Sequence, residues 1–263
     1  MKLTMELFDT HCHLDFDDFD HDRDDVINNA KQHGVNNILV PSVTQKTWHK
    51  TIKLCKQSAA CHLALGLHPV FIEKHQPQHL NELDELTTEH QPIAIGEIGL
   101  DFYNNKNIEN KEKQTLFFDK QLVIAKQHNL PVIIHNRKAH DQCISMLQEH
   151  QVKGGIIHAF NGSIQQAEKY IEMGFMLGFG GMLTFERSSK LKKLVQQLHI
   201  ESIVLETDAP DMTVSQHSGE RNSPEYIPYI LNSLSKLTGK TTEEVAQITT
   251  QNAKQVLNLE LRI

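Results

Sequence analysis

Two histidines two residues apart, His11 and His13, are the first chemically informative pair in this 263-residue chain. They follow Leu7-Phe8, an apolar pair that reads as the start of a β-strand. On an extended chain residues i and i+2 share a face, so both imidazoles can grip one ion while Cys12 points away. Neutral imidazole suits zinc, iron and manganese. The chain holds 17 histidines, and chance alone then supplies about one His-x-His. The pair therefore needs company. Glu97, His135, His158 and Asp208 provide it, each closing a short apolar run. Four histidines and two carboxylates can hold two divalent ions, with Glu97 able to bridge them. Singly, His135 or His158 reads as a hydrogen-bonded core residue, Glu97 as a buried acid paired with a base, and Asp208 as a helix cap. Their joint placement at run ends is what favours a metal site.

Further candidates surround these six. Arg137, two residues past His135, can face the same mouth and clamp an anionic oxygen with its planar fork. His68 ends another apolar run and can touch substrate, or serve structurally before Pro69. Asn161-Gly162-Ser163 opens a helix whose amides can hold a phosphate, or is a plain cap. Asp9 and Glu206 have the inward parity of His11 and Asp208 and can orient ligands from behind. His33, His75, His90, His128 and His150 read as solvated helix or loop residues.

The elements that must position these groups alternate regularly. Apolar runs at Leu7-Phe8, 38–40, 63–67, 93–99, 131–135, 155–158, 175–178 and 203–208 are separated by longer amphipathic stretches. Helices are expected from about Asp17, Thr44, His79, Asn110, Ala139 and Ser163, with one more before Ile203. Helical patterns then run from Ser223 to the C-terminus, broken near Gly239. Continuous apolar strands signal a parallel sheet covered by helices. Eight β/α units in about 250 residues fit an α/β fold of the TIM (β/α)8 barrel type, a single domain over residues 1–263. An open doubly wound sheet is disfavoured, because no Gly-x-Gly-x-x-Gly turn follows an early strand.

Composition bounds the partners. A net charge of −7 with no basic run argues against broad capture of duplex DNA, which relies on many Lys and Arg contacts to phosphate. No stretch approaches the ~18–20 apolar residues of a membrane span. Met1–Glu6 lacks the apolar core of a signal peptide, and Met5 offers an alternative start. Cys12, Cys55, Cys61 and Cys143 show no Cys-x-x-Cys spacing and read as reduced thiols, so a cytoplasmic location is expected.

At this level the sequence resembles the TatD family of metal-dependent deoxyribonucleases, part of the amidohydrolase-like group of TIM barrels. The matching segments are 8–15 (FDTHCHLD), 66–69 (GLHP), 96–101 (GEIGLD), 131–137 (PVIIHNR), 158–163 (HAFNGS) and 206–210 (ETDAP). They run in order across nearly the whole chain. The resemblance implies metal ligation by His11, His13, Glu97, His135, His158 and Asp208. It departs at Arg221-Asn222-Ser223-Pro224, where many relatives carry an acid in place of Ser223. A second proline common in some relatives is also missing between Asp211 and Gly219.

The function implied is metal-dependent hydrolysis of a phosphodiester with two divalent ions, zinc, manganese or magnesium. The substrate implied is DNA, cut from a single-stranded or frayed end, with no obligate protein partner. His11, His13, Glu97 and Asp208 are expected on one ion, and Glu97, His135 and His158 on the other. Asp208 is expected as proton acceptor, with Arg137 and His68 on the phosphate. An aminoacyl-tRNA deacylase using the same site is the runner-up, followed by a carboxamide or lactone hydrolase. A non-catalytic metal-binding scaffold, which would need a closed coordination shell, is the alternative of a different class.

Overall fold

The computed structural model of the protein describes residues 5–104 and 107–259. The stretch read above for a leader therefore falls mostly outside the described residues, as do 260–263 at the end of the helical C-terminal pattern. Eight strands form one parallel sheet in sequential order: β1 (Leu7–Asp9), β2 (Val35–Pro41), β3 (Cys61–Leu65), β4 (Ala94–Asp101), β5 (Val132–Arg137), β6 (Gly155–Ile157), β7 (Phe175–Phe179) and β8 (Ile203–Leu205). The two edges meet just past the ends of β1 and β8. There Thr10 N donates to Leu205 O, Asp208 N to His11 O and His13 N to Ala209 O, with Cys12 bridging Ala209 in parallel. These contacts bring the sheet close to a closed TIM barrel, as the alternating runs predict.

Nine α-helices lie among the described residues: α1 (Arg23–Gln32), α2 (Trp48–Gln57), α3 (Gln78–His90), α4 (Ile108–Gln127), α5 (His140–His150), α6 (Ile164–Glu172), α7 (Ser189–Val195), α8 (Ile227–Thr238) and α9 (Thr242–Val256). Three starts come later than the sequence pattern indicates, one of them at α8, where Pro224–Tyr226 forms a 3-10 turn before Ile227. Asp17–Phe19 forms a separate 3-10 turn before α1, and Gln45–Thr47 forms another before α2. At α6 the cap is as read: Ser163 Oγ accepts from Gln166 N, and Gln166 returns a bond to Ser163 N. Gly239 ends α8 at φ +70°, a left-handed conformation that glycine adopts without a steric cost.

Strand alternation divides the apolar residues between two cores. Phe8, Leu39, Ala64, Ala94, Ile133, Ile156 and Val204 pack together inside the barrel. Their strand neighbours, among them Leu7, Ile38, Leu65, Ile134 and Leu205, join the helices in an outer core. Ala253, Val256 and Leu257, at the end of α9, belong to the inner cluster, so apolar packing fills the N-terminal end of the barrel. The C-terminal end is left for chemistry. Stepping by twos from the inner set leads there: Ile133 to His135, Ile156 to His158, Val204 to Glu206.

Candidate metal centre

Glu97 is buried at the centre of the barrel mouth, and its two oxygens face different groups. Oε2 lies 3.0 Å from His11 Nε2 and 3.5 Å from His13 Nε2. Oε1 lies 3.0 Å from His68 Nε2 and 3.1 Å from His135 Nδ1. Asp208 stands opposite, with Oδ1 3.5 Å from His13 Nε2 and 3.8 Å from His11 Nε2. Its Oδ2 is 3.4 Å from His158 Nε2. All six expected ligands therefore converge, and three overlapping ligand groups arise: His11 with His13 and Glu97, His11 with His158 and Asp208, and His68 with Glu97 and His135. This grouping differs from the expected division. His158 stacks on His11 with ring centroids 3.6 Å apart, and His68 takes its place beside His135.

Close glycines make room for Glu97. A Cβ on Gly96 would stand 2.5 Å from Ile133 Cβ, and one on Gly66 would stand 2.6 Å from the Gly96 carbonyl carbon. The strand register between β4 and β5 shifts between Ile95 and Ile98. That shift lets Glu97 face the mouth although Ala94 already faces the barrel interior.

Which ring nitrogen each histidine offers follows from its outer partner. His13 Nδ1 is 3.1 Å from the Pro41 carbonyl, which can only accept, so Nδ1 carries hydrogen and Nε2 is turned to the cluster. His158 Nδ1 lies 3.0 Å from Glu206 Oε1, and His135 Nε2 lies 3.1 Å from Asp101 Oδ2. His13 and His135 thus have the outer acceptor typical of imidazole ligands, while Glu206 stands at ion-pair distance from His158 without an aligned hydrogen bond. His68 differs. Its Nδ1 accepts from Val70 N at 3.1 Å, so Nε2 bears the proton and donates to Glu97. In this tautomer His68 is a hydrogen-bond donor and not a ligand.

The charge balance follows this geometry. Burial pulls His13 down, but the Asp208 contact and the Glu97 charge raise it to about 9. Burial outweighs the Glu97 charge at His68 and lowers it to about 4. For Glu97 and Asp208 burial works upward, yet nearby histidines hold both carboxyls below their ordinary range; His68 and His11 dominate at Glu97, and His158 at Asp208. His158 is raised because Glu206 and Asp208 outweigh its burial. A proton and a divalent cation compete for the same inward nitrogens. His11 and His13 Nε2 sit 3.3 Å apart, a spacing at which two basic nitrogens fit a shared cation between them. This donor set of imidazoles and carboxylates fits divalent metal.

Several residues fill roles that sequence reasoning missed or misplaced. Asp101 was not singled out, although it lies four residues past Glu97 on the same strand. Asn222 fixes the backbone beside Asp208, donating to Thr207 O and to Asp211 O. Asp9 does not share the inward parity expected of it. Its carboxylate accepts from His11 N, Thr207 N and Thr207 Oγ1, tying β1 to the chain after β8. Burial raises it to about 8 against those bonds. His75 is buried, not solvated, and its Nε2 donates to His68 O at 2.9 Å. Arg137 is exposed, with its guanidinium over the Tyr103 ring. At 161–163, Ser163 caps α6 and Asn161 Oδ1 meets His140. Ser223, at the departure from the family pattern, bonds Glu225 while Arg221 pairs with Asp22.

The family model for TatD related DNase matches residues 8–258. The chain belongs to the TatD-related DNase family. It is 36% identical over 255 residues to YjjV of Escherichia coli K12, an uncharacterized metal-dependent hydrolase, covering 95% of this chain and 97% of that one. The crystal structure of the Escherichia coli YjjV TatD homologue superposes with a TM-score of 0.92 at 35% identity, over 97% of this chain and 99% of that one. TatD of Shigella flexneri serotype 5b, named a 3'-5' ssDNA/RNA exonuclease, is 31% identical over 261 residues, or 96% of this chain and 99% of that protein. Membership makes this TatD-family chain a metal-dependent hydrolase. No helix among the described residues is long and apolar enough to cross a membrane.

Glu206 tests how much the outer partners matter. Its side chain fills space that only glycine leaves, since a Cβ on Gly178 would lie 2.2 Å from Oε2. Glu206→Gln keeps the shape but removes the charge facing His158. Metal affinity is expected to fall about 10- to 100-fold, the usual cost of losing an outer partner. Calorimetric titration with manganese checks it; unchanged affinity would show that Glu206 only fills space.

Proposed function

We propose that this protein is a two-metal deoxyribonuclease that shortens single-stranded or frayed DNA from an end. The observation that carries this reading is the two-sided Glu97 carboxylate, with His11 and His13 at one oxygen and His135 at the other. His11, His13, His158, Glu97 and Asp208 would surround one cation position, and Glu97 with His135 would hold the second. Two such ions supply a low-pKa water and neutralise charge developing on the phosphate oxygens. The chain's own groups do the rest. Asp208, ionised at neutral pH, takes the proton of the attacking water at a carboxylate oxygen. His68 Nε2–H holds Glu97 Oε1 in place and so fixes the shared carboxylate. Arg137, at the rim beyond His135, meets a phosphate oxygen with its planar fork.

The substrate class rests on charge and on a relative. The Shigella flexneri TatD is named for single-stranded substrates, and a net charge of −7 leaves few phosphate contacts to this chain. Two or three contacts give a log–log salt slope of roughly −1.5 to −2 for single-stranded DNA, at about −0.7 per phosphate. Binding of a metal-loaded but inactive variant should weaken with that slope. End-labelled strands should shorten stepwise, and covalently closed circles should resist. Rapid nicking of closed duplex circles with a steep salt slope would overturn the reading. Exclusive cleavage of the ester in aminoacyl-tRNA would replace it with a deacylase.

A further inference from the structure

Three consecutive strands, β3, β4 and β5, lead into two cation–aromatic pairs on the rim above the Glu97, His68 and His135 side of the site. After β3, Lys74 Nζ sits 4.9 Å over the Phe71 ring, and that ring lies 5.9 Å from His68. After β4, Tyr103 is 48% exposed, and the Arg137 guanidinium at the end of β5 lies 3.9 Å from its ring centroid. The Tyr103 loop is not free to drift. Tyr103 N and Asn104 N both donate to Asp101 Oδ1, and Asp101 Oδ2 in turn meets His135. Among the described residues, no hydrogen bond or ion pair engages Lys74 Nζ or the Arg137 guanidinium.

An exposed aromatic ring is costly in water, and a cation lying over it without an ion pair is available to an anion. Single-stranded nucleic acid is the partner that uses both, because bases stack on rings while cations track the backbone. Guanidinium planes also stack on bases, and their edges remain available to phosphate. Resting on the nuclease reading above, we propose that Phe71–Lys74 and Tyr103–Arg137 are two stacking subsites for bases of one single strand. Two cations here agree with a strand held by few phosphates. The subsites select unpaired bases, since a duplex hides their faces, and they read no sequence.

Manganese-loaded protein can be assayed on a short single-stranded oligonucleotide and on a matched strand whose two terminal nucleotides are abasic. Tyr103→Ala and Phe71→Ala are each expected to raise KM about tenfold or more on the normal strand, the scale of base–aromatic stacking, with kcat little changed. Wild-type protein should lose about 100-fold on the abasic strand, the product of the two single losses, and the alanine variants little beyond that. Tyr103→Phe should behave as wild type. So should Phe185→Ala, whose ring lies under Arg187 on the β7 connection. Equal KM for normal and abasic strands in the wild-type protein would overturn the subsites while leaving the nuclease reading intact. That comparison needs no variant to fold. Hydrolysis of bis(4-nitrophenyl) phosphate with neither cleavage nor binding of oligonucleotides would overturn both.

Discussion

Glu97→Gln is expected to abolish the shared metal centre and to lower turnover about 10³-fold. The carboxylate faces nitrogens on both sides, with Oε2 at 3.0 Å from His11 Nε2 and Oε1 at 3.1 Å from His135 Nδ1. An amide keeps the volume but has a single oxygen to give. Whichever way it turns, one side of the site then faces an NH2 that repels a cation. Metal ions supply several kcal/mol of transition-state stabilisation, and each tenfold in rate is about 1.4 kcal/mol, which sets the magnitude. The fold should persist, because the inner core of Ile133, Ile156 and Val204 lies below this layer. Elemental analysis of the purified variant and single-turnover rates together check it. A folded Glu97→Gln protein with two ions per chain and normal turnover would remove the bridging role.

Much of this site was legible because a parallel barrel turns strand order into geometry. His135 and His158 lie two residues beyond inner-core isoleucines, so simple alternation carries them to the mouth. The same rule failed at β1. Leu7 packs with the helices and Phe8 inside, which makes Asp9 outward; it bonds Thr207 there. His11 faces inward because the chain leaves the strand after Asp9 and is held to the β8 side by Thr10, Cys12 and His13. No periodicity announces that break. Glu97 was expected to end its strand, whereas it lies inside β4 (Ala94–Asp101), and the glycine contacts that admit it are beyond the reach of a run pattern.

The outer partners were hardest to read. Asp101 meets His135 across a strand pair, and Pro41 acts on His13 through a carbonyl that any residue possesses. His75 looked like a loop histidine, yet it sits beneath His68 and donates to its carbonyl. Such contacts depend on the path of a connection, to which composition is blind. The division of ligands was also beyond the sequence. Strand order makes His135 and His158 neighbours, whereas the rings point apart: His158 stacks on His11 while His135 meets His68 edge-on.

Asp208→Asn separates metal holding from proton transfer. The backbone at 208 has φ +59°, a region in which asparagine and aspartate are the best tolerated side-chain residues. Its N–H donates to His11 O at 2.8 Å, a bond that the substitution leaves untouched, so thermal stability should stay near that of wild type. What changes is charge. Asparagine retains one oxygen near His13 Nε2 but has no basic carboxylate to accept the water proton. Turnover is expected to fall at least ~10²-fold, the lower end of general-base contributions. Two causes can produce that fall, and raising the metal concentration tells them apart. If Asp208 acts only as a ligand, saturating manganese restores the rate. If it accepts the proton, the rate stays low with both ions bound, and added small amines or carboxylates recover part of it by replacing the missing base. Full turnover by a folded Asp208→Asn protein at saturating metal would assign the proton to another group.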